Sequence, residues 1–208
     1  MPGLFITFEG GEGTGKSTQI KILGERLKTL GRVTVATREP GGTPEAEAVR
    51  ALLVSGDVAR WTAKSEALLN YAAREQHLEQ VIRPALASGA IVLCDRFMDS
   101  TRAYQGYAGG CEQSFIDALE QAIVGATRPD LTLVFDLDPV LGLERARHRG
   151  DAMSEDRYER KGLSFHRKLR DGFLDIQARD PERCRLVDTS AAIDSVADAV
   201  WAIVSQRL

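Results

Sequence analysis

The chain has 208 residues, with 27 Lys and Arg against 30 Asp and Glu, so its formal charge is −3. This balance excludes a polycation that coats nucleic acid or an anionic membrane surface. The three cysteines are odd in number and share no CxxC spacing, which argues against a disulfide framework and a zinc site. Composition and length are those of one folded globular domain.

The first apolar segment, residues 4–8, lacks the basic flank, the long apolar stretch and the cleavage site of a signal peptide. We therefore expect a core strand there. No apolar stretch approaches the roughly 18 residues of a membrane span. The sequence thus predicts a soluble, cytoplasmic protein without membrane contact, in which Cys94 is a buried structural thiol.

Short apolar, β-branched runs alternate along the chain with segments of helical spacing. After the first run, for example, Ile20, Leu23 and Leu27 fall on one helix face. Continuous apolar strands are buried on both faces, and intervening helices supply the crossovers of a parallel sheet. We predict an α/β fold of three layers with five strands. The predicted strands are residues 5–8, 33–37, 91–94, 131–135 and 185–187.

Residues 145–170 depart from this pattern, because they include nine Lys or Arg, four Asp or Glu and few large apolar side chains. Gly150 and Asp151 form a turn signal near the start of the segment. We interpret residues 145–160 as a hinged surface lid that leads into a helix. No repeat or low-complexity linker marks a second domain, so residues 1–208 are predicted to form one domain that includes the lid.

The sequence GGEGTGKS at residues 10–17 matches the phosphate-loop pattern GxxxxGK[ST] between a predicted strand and a predicted helix. Its glycines let backbone N–H groups surround phosphate oxygens at the positive end of the helix. Lys16 would reach the β- and γ-phosphates, and the Ser17 hydroxyl would bind Mg²⁺. A Gly-rich connector without function is the less favoured alternative.

Asp95 and Arg96 follow the run 91–94, at the carboxyl edge of the predicted sheet, where ligands of open α/β sheets bind. A carboxylate at this edge can hold Mg²⁺, and an arginine can pair with a phosphate. A surface ion pair that closes the strand is the alternative, and these residues alone leave both open. Glu9, at the end of the first strand, is ambiguous in the same way.

Several further blocks accompany these motifs along the whole chain. They are FEG leading into the phosphate loop at 8–18, TREPGGT at 37–43, YAAR at 71–74, DRF at 95–97, STRAYQG at 100–106, LDP at 137–139, RARHRG at 145–150 and DRYE at 156–159. In this combination the sequence resembles the bacterial thymidylate kinases. The resemblance implies a three-layer P-loop kinase fold with a five-stranded parallel sheet flanked by helices and a mobile lid. It also implies a cytoplasmic homodimer that transfers the γ-phosphoryl group of ATP to dTMP, giving dTDP and ADP, with Mg²⁺ and without a nucleic acid partner.

The chemistry of this reaction explains the residue types. The acceptor phosphate is already an anion, so no general base is required, and the sequence offers no convincing one. The barrier lies in aligning two polyanions, which requires fixed positive charge and a dry site. By the resemblance, Arg38 and Arg96 clamp the acceptor phosphate, while Lys16, Mg²⁺ and the lid arginines neutralise the donor.

The family places its catalytic arginine either in the phosphate loop or on the lid. Residues 11–14 contain no basic side chain, so this chain resembles the lid type. Residues 145 and 149 are four apart and share a helix face, and of Arg145, Arg147 and Arg149 we expect Arg149 to be catalytic. A solvated helix end is the alternative for these charges.

The resemblance also implies roles around the thymidine. Glu12 would contact the 3′-hydroxyl, Arg74 the thymine carbonyl, and Tyr104 would crowd the 2′ position. Thr101 and Gln105 would meet the pyrimidine edge, whereas core packing of Tyr104 and a surface charge for Arg74 are the alternatives.

The expected catalytic residues are Lys16, Asp95, Arg96 and Arg149. The expected nucleotide-binding residues are Gly10, Gly11, Glu12, Gly13, Thr14, Gly15, Lys16, Ser17, Thr18 and Arg145. The expected substrate-binding residues are Glu12, Arg38, Arg74, Arg96, Ser100, Thr101, Tyr104 and Gln105, and the expected metal ligands are Ser17, Asp95 and Glu9.

Two local features stand out within the resemblance. The Glu39–Pro40 bond is expected to be cis, which would aim Arg38. Where the family usually has a Phe that stacks on thymine, four residues before Arg74, this chain has Asn70. Loss of an aromatic stack worth roughly 0.5–1.5 kcal/mol would weaken base binding unless Tyr71 or Phe97 substitutes, and the sequence does not choose between these two.

Two other functions compete with this interpretation. A kinase for another nucleoside monophosphate, or for a nucleoside, would use the same scaffold, although a nucleoside acceptor favours a carboxylate base over the pair Arg38 and Arg96. A nucleotide-dependent switch or assembly ATPase would hydrolyse ATP without transfer.

Overall fold

The computed structural model describes residues 3–148 and 157–208. Five parallel strands form one sheet in the order β2-β3-β1-β4-β5. The predicted five-stranded parallel sheet is therefore confirmed, and each strand begins and ends within two residues of its prediction. The strands are β1 (Leu4–Gly10), β2 (Thr34–Arg38), β3 (Ile91–Asp95), β4 (Leu131–Asp136) and β5 (Cys184–Asp188).

Helices cover both faces of the sheet, as the alternating pattern predicts. Short π-helical turns, Leu78–Ile82 and Arg102–Ala108, extend two of them. The helices are α1 (Lys16–Thr29), α2 (Pro44–Val54), α3 (Ala63–His77), α4 (Arg83–Ala87), α5 (Met98–Thr101), α6 (Gln113–Ile123), α7 (Pro139–His148), α8 (Leu163–Arg179) and α9 (Ile193–Val204).

Alternate strand residues supply cores on the two faces of the sheet, because successive side chains of a strand point to opposite faces. On one face, Phe8 of β1 packs with the α1 stripe that includes Leu23 and with the α9 stripe that includes Val200. On the other face, Phe5 of β1 packs with residues of α3 and α6, among them Tyr71. Burial on both faces explains why the strands read as continuous apolar runs.

The central strand β1 is the point at which the strand order reverses. The chain moves from β1 to one side of the sheet for β2 and β3, and then to the other side for β4 and β5. Ligands of such sheets bind in the crevice that this reversal opens at the carboxyl ends of the strands. The register pairs Phe8 with Asp95 and Gly10 with Phe135, so the phosphate loop and the Asp95–Arg96 pair meet there.

Two minor predictions concern thiols and membranes. Cys94 is a free, buried thiol, as its apolar context predicts. Within residues 3–148 and 157–208, no helix combines the length and the apolarity that crossing a membrane requires.

Candidate active site

The phosphate loop joins β1 to α1 in a conformation that depends on glycine. Gly13 and Gly15 have φ angles of 68° and 86°, in the left-handed region that glycine adopts at little cost. A Cβ atom on Gly13 would lie 1.9 Å from the carbonyl oxygen of Gly142, so α7 also packs against the loop too closely for a side chain. Gly15 is the N-cap of α1, which places the positive end of that helix at the loop.

Lys16 lies folded beneath the loop and is 7% exposed. Its Nζ donates to the carbonyl oxygens of Gly10 and Gly11, at 3.2 and 2.8 Å, and to the Thr14 hydroxyl at 3.2 Å. Burial, together with the neighbouring charge of Arg96, lowers the pKa of Lys16 to about 8. Two cations are thus held close together, an arrangement that favours an anionic ligand.

Beside Lys16 is an open polar cavity, which we call the Lys16 cavity; its walls include Ser17, Arg38, Asp95 and Arg96. The Ser17 hydroxyl donates to Oδ2 of Asp95 at 2.5 Å, so a hydroxyl and a carboxylate oxygen converge at its edge. Mg²⁺ prefers such hard oxygen ligands, and takes one or two from the protein with the rest from phosphates and water. These two residues therefore fit Mg²⁺. The other wall cation, Arg38, is half-exposed and pairs with Glu47 at 3.1 Å.

Glu9 does not share this position. Its side chain is fully buried, and its two oxygens accept hydrogen bonds from the backbone N–H groups of Phe97 and Ser100 and from the Ser100 hydroxyl. Burial, together with the negative charge of Asp99, raises the pKa of Glu9 to about 7. Among the described residues, no three His, Cys, Asp or Glu side chains gather in metal-binding geometry. Glu9 therefore holds the turn after β3, and we do not propose it as a metal ligand.

Arg96 links the phosphate loop to the turn after β3. Its φ angle is 67°, a strained value for a residue with a side chain. Its backbone N–H donates to the carbonyl of Phe8, and its guanidinium donates to the carbonyl of Gly10 at 2.7 Å and to Glu12 at 3.1 Å. The guanidinium also lies 5.0 Å from the ring centre of Tyr104. These contacts fix a positive charge beside the Lys16 cavity.

Glu12 is held as a carboxylate between Arg96 and Tyr104. Burial acts to raise the pKa of Glu12, but the charges of Arg96 and Lys16 and the hydrogen bond from Tyr104 outweigh it and lower the pKa to about 2. One carboxylate oxygen, Oε1, accepts both the Tyr104 hydroxyl and the Arg96 guanidinium. Glu12 is thus ionised at neutral pH and oriented by two neighbours.

A second cavity lies beyond Glu12 and is called the Arg74 cavity; Asn70, Phe97 and Gln105 are among its lining residues. Both Glu12 and Arg96 line this cavity and the Lys16 cavity as well. The two cavities therefore adjoin.

Arg74 is 1% exposed, so the surface-charge alternative for this residue is wrong. Its guanidinium donates to Glu39 at 2.7 Å, to the Phe97 carbonyl at 3.0 Å and to the Thr101 hydroxyl at 3.2 Å, and it stacks on the Tyr71 and Phe97 rings. No described residue accepts from its remaining nitrogen, Nη1. Arg74 therefore lines the cavity and keeps one buried nitrogen without a described acceptor.

A third cavity, called the Arg145 cavity, lies on the opposite side of the phosphate loop and is lined by Thr18, Arg145, Thr189 and Ile193. The Arg145 guanidinium donates to the carbonyl of Thr189 at 3.0 Å, which holds the end of α7 against the loop after β5. Four loop residues line both this cavity and the Lys16 cavity: Gly13, Thr14, Gly15 and Ser17. The three cavities thus form a row with the phosphate loop between them.

Comparisons with known proteins agree with this geometry. A family model described as thymidylate kinase matches residues 8–200. A curated thymidylate kinase of Caulobacter vibrioides is 55% identical over 206 residues, covering 99% of this chain and 98% of the relative, and one of Afipia carboxidovorans is 53% identical, covering 99% and 90%. The crystal structure of thymidylate kinase from Ehrlichia chaffeensis superposes with a TM-score of 0.79 at 34% identity, covering 98% of this chain and all of that one.

The chain belongs to the thymidylate kinase family. The reaction of this family is phosphoryl transfer to dTMP, so the resemblance seen in the sequence blocks and the kinase function that it implies are confirmed. The α/β fold of a P-loop kinase is confirmed as well.

Two of the three lid arginines, Arg145 and Arg147, lie within the described residues. Arg149, expected to be catalytic, lies outside the described residues, as do Gly150 and Asp151. Arg147 is exposed in the last turn of α7, and Arg145 faces the phosphate loop.

The structure also bears on the family's missing aromatic ring. Asn70 lines the Arg74 cavity, as its alignment with the stacking position requires, and its amide donates to the carbonyl of Glu66. Of the two rings that the sequence offered, Phe97 lines the cavity, whereas Tyr71 lies behind it against Arg74 and is not among the described lining residues. Of these two rings, Phe97 is therefore the one at the cavity wall.

Several supporting residues escaped the sequence analysis. The imidazole of His77 forms hydrogen bonds with Glu39 and with Thr37. Glu39 in turn accepts a hydrogen bond from Arg74. The Glu39–Pro40 bond that precedes this network is cis, as expected. Arg157 is a fully buried cation that belongs to the DRYE block, the one sequence signal that could have found it.

Proposed function

We propose that the three cavities hold the reactants of an ATP:dTMP phosphotransferase in line. The nucleoside of ATP occupies the Arg145 cavity, the transferring phosphates occupy the Lys16 cavity, and the thymidine of dTMP occupies the Arg74 cavity. The observation that carries this assignment is the shared wall: Glu12 and Arg96 line both the Lys16 and the Arg74 cavities. An acceptor bound in the latter has its 5′-phosphate beside the phosphate loop.

The cations around the Lys16 cavity stabilise the charge of the two phosphate chains. Lys16 contacts the donor phosphates, while Arg96 and Arg38 hold the acceptor phosphate. Ser17 and Asp95 would hold Mg²⁺, which when bound neutralises charge on the donor. Because Arg96 is fixed by the Gly10 carbonyl and by Glu12, its position is set before the substrates bind.

The residues of the Arg74 cavity recognise the nucleoside. Glu12, an ionised carboxylate, accepts a hydrogen bond from the deoxyribose 3′-hydroxyl, and the Tyr104 ring leaves no room at the 2′ position. The Nη1 group of Arg74 donates to a thymine carbonyl. Ser100 and Thr101 also line this cavity, although their hydroxyls bond to Glu9 and Arg74 and so support the wall.

The remaining assignments extend beyond the described contacts. We propose that residues 145–160 form a lid within the same single domain, with Arg149 as the catalytic arginine. The protein is proposed to be a cytoplasmic homodimer without nucleic acid or membrane partners. Exposed apolar side chains on adjoining helices, Leu52 of α2 at 40% and Leu68 of α3 at 49%, support a subunit contact. Sedimentation of the purified protein measures the subunit number.

An acceptor panel tests the proposed reaction. The protein is incubated with ATP and Mg²⁺ and, separately, with dTMP, dUMP, dCMP, dGMP and UMP, and both ADP release and the phosphorylated product are measured. We expect dTDP as the major product, with ADP and dTDP formed in equal amounts. ADP release without transfer would instead support an ATPase switch, and a preference for another acceptor would refute the assignment to dTMP.

A further inference from the structure

Glu66 of α3 is a buried carboxylate that the proposed reaction does not use. It is 1% exposed, and its Oε1 accepts from Arg157 at 2.5 Å and from Lys161 at 3.2 Å. Its other oxygen, Oε2, accepts the amide nitrogen of Gln105 at 2.8 Å and the hydroxyl of Tyr158 at 3.2 Å. Two cations thus pair with Glu66 in the interior, and its contacts reach the wall of the Arg74 cavity through Gln105.

The hydrogen bond to Glu66 fixes which way the Gln105 amide turns. A carboxylate only accepts hydrogen bonds, so the NH₂ group of the amide must face Glu66. Gln105 is 2% exposed and lines the Arg74 cavity. Within residues 3–148 and 157–208, the side-chain hydrogen bonds of Gln105 use its amide nitrogen, and none reaches its side-chain oxygen, Oε1. The cavity wall thus includes Gln105, which offers an acceptor, and Arg74, whose Nη1 donor lacks a partner among the described residues.

This donor and acceptor pair distinguishes pyrimidines by the hydrogen-bond donors and acceptors at positions 3 and 4 of the ring. Thymine and uracil present a carbonyl acceptor at O4 and an N–H donor at N3, which complement Arg74 and Gln105. Cytosine presents an amino donor at C4 and a bare nitrogen acceptor at N3, which oppose both groups. Leaving buried polar groups unpaired is the strongest means by which a site rejects a close analogue.

We propose that Glu66 is a positioning residue for base selection: it holds Gln105 with its carbonyl oxygen towards the substrate and so favours bases with an N3–H group over cytosine. This inference rests on the proposed binding of dTMP in the Arg74 cavity. It assigns Glu66 no contact with the substrate.

The variant Glu66→Gln tests the proposal. Arg157 keeps a hydrogen bond to the amide oxygen of residue 66, which takes the place of Oε1. The new amide nitrogen therefore takes the place of Oε2 and faces Gln105. Gln105 then turns its oxygen towards residue 66 and its NH₂ group towards the cavity. We expect kcat/KM for dTMP and for dUMP to fall together by about tenfold, while kcat/KM for dCMP falls less or rises. The ratio of dTMP to dUMP stays at the wild-type value.

Two further variants separate positioning from stability. Lys161→Met removes a second ion pair of Glu66 without changing the group that faces Gln105, and should keep the wild-type ratio of dTMP to dCMP. If Glu66→Gln does not fold, Glu66→Asp is the alternative variant. It keeps a carboxylate for Arg157 but shortens the side chain by one methylene group, which moves the carboxylate away from Gln105. It should lower the ratio of kcat/KM for dTMP to kcat/KM for dCMP. An unchanged ratio in the folded variant overturns the proposal.

A double-mutant cycle locates the effect at Gln105. In a Gln105→Leu background, the Glu66→Gln change should no longer alter the ratio of dTMP to dCMP. An equal change in both backgrounds would show that Glu66 acts on the cavity by another route and would refute the inference. Failure of the wild-type protein to phosphorylate dTMP would refute the proposed function instead, so the two failures are distinguishable.

Discussion

The Tyr104 hydroxyl donates to Oε1 of Glu12 at 2.5 Å, although the two residues are 92 positions apart in the chain. Glu12 belongs to the phosphate loop, and Tyr104 belongs to the π-helical turn Arg102–Ala108. Their hydrogen bond joins the part of the site proposed to bind ATP to the part proposed to bind dTMP. Since Arg96 shares the same oxygen, one carboxylate organises the contact between both halves.

The low pKa of Glu12 predicts a pH dependence of stability. Its value of about 2 lies below the ordinary 4.5, so ionised Glu12 stabilises the fold fully above pH 4.5 and progressively less as the pH falls towards 2. The linked contribution at neutral pH is on the order of 3 kcal/mol. Thermal unfolding from pH 7 to pH 2 should show wild type with a higher Tm than Glu12→Gln, and this difference in Tm should shrink as the pH falls below 4.5. A difference in Tm that stays constant over this range would contradict the assigned pKa.

Lys16→Met should abolish transfer while leaving the fold intact. The methionine loses the charge that meets the donor phosphates, and we expect kcat to fall by about 10³-fold. Turnover is measured by ADP release and folding by thermal unfolding. Lys21→Met, an exposed position on the same helix, is the matched control and should keep wild-type turnover. Normal turnover of Lys16→Met would exclude the phosphate-loop assignment.

Asn70→Phe should lower the Michaelis constant for dTMP. Asn70 lines the Arg74 cavity beside Phe97, and an added ring can stack on the base for roughly 0.5–1.5 kcal/mol, which corresponds to about a twofold to tenfold decrease. Asn70→Leu adds apolar surface without a ring and should have a smaller effect. Steady-state kinetics with dTMP as the varied substrate measure both. An unchanged or higher constant for the Phe variant would show that residue 70 is not the stacking position.

Gly13→Ala should damage the phosphate loop, whereas Gly11→Ala should leave the fold stable. Position 13 combines a φ of 68° with a backbone oxygen 1.9 Å from the site of a new Cβ, while a Cβ at Gly11 would meet no atom within 4 Å. Overpacking and backbone strain of this kind cost about 1–3 kcal/mol each. Chemical denaturation compares the two variants. Equal stability would mean that α7 moves away from the loop without cost.

Local patterns in the sequence were enough for the fold and for part of the site. The strands of the sheet are recognisable because each is a continuous apolar run, and α1 because its apolar side chains repeat with helical spacing. The phosphate loop is recognisable because its function needs glycines, Lys16 and Ser17 at fixed spacing along one segment. The same logic could not foresee the surroundings of Glu9, an expected metal ligand whose carboxylate accepts hydrogen bonds from Phe97 and Ser100. Its neighbours in space come from a different segment.

The sequence by itself therefore determined the parallel sheet, the phosphate loop and membership of the kinase family, because these depend on contiguous residues and their spacing. Only the tertiary structure decided that Arg74 is buried against Glu39 with one nitrogen lacking a described acceptor, that Phe97 and not Tyr71 lines the cavity, and that Gln105 donates to the buried Glu66. These relationships join segments from Glu39, just after β2, to Gln105 in the turn Arg102–Ala108. They depend on distances and burial that the folded chain sets, and a lone Glu in a helix carries no sign of them.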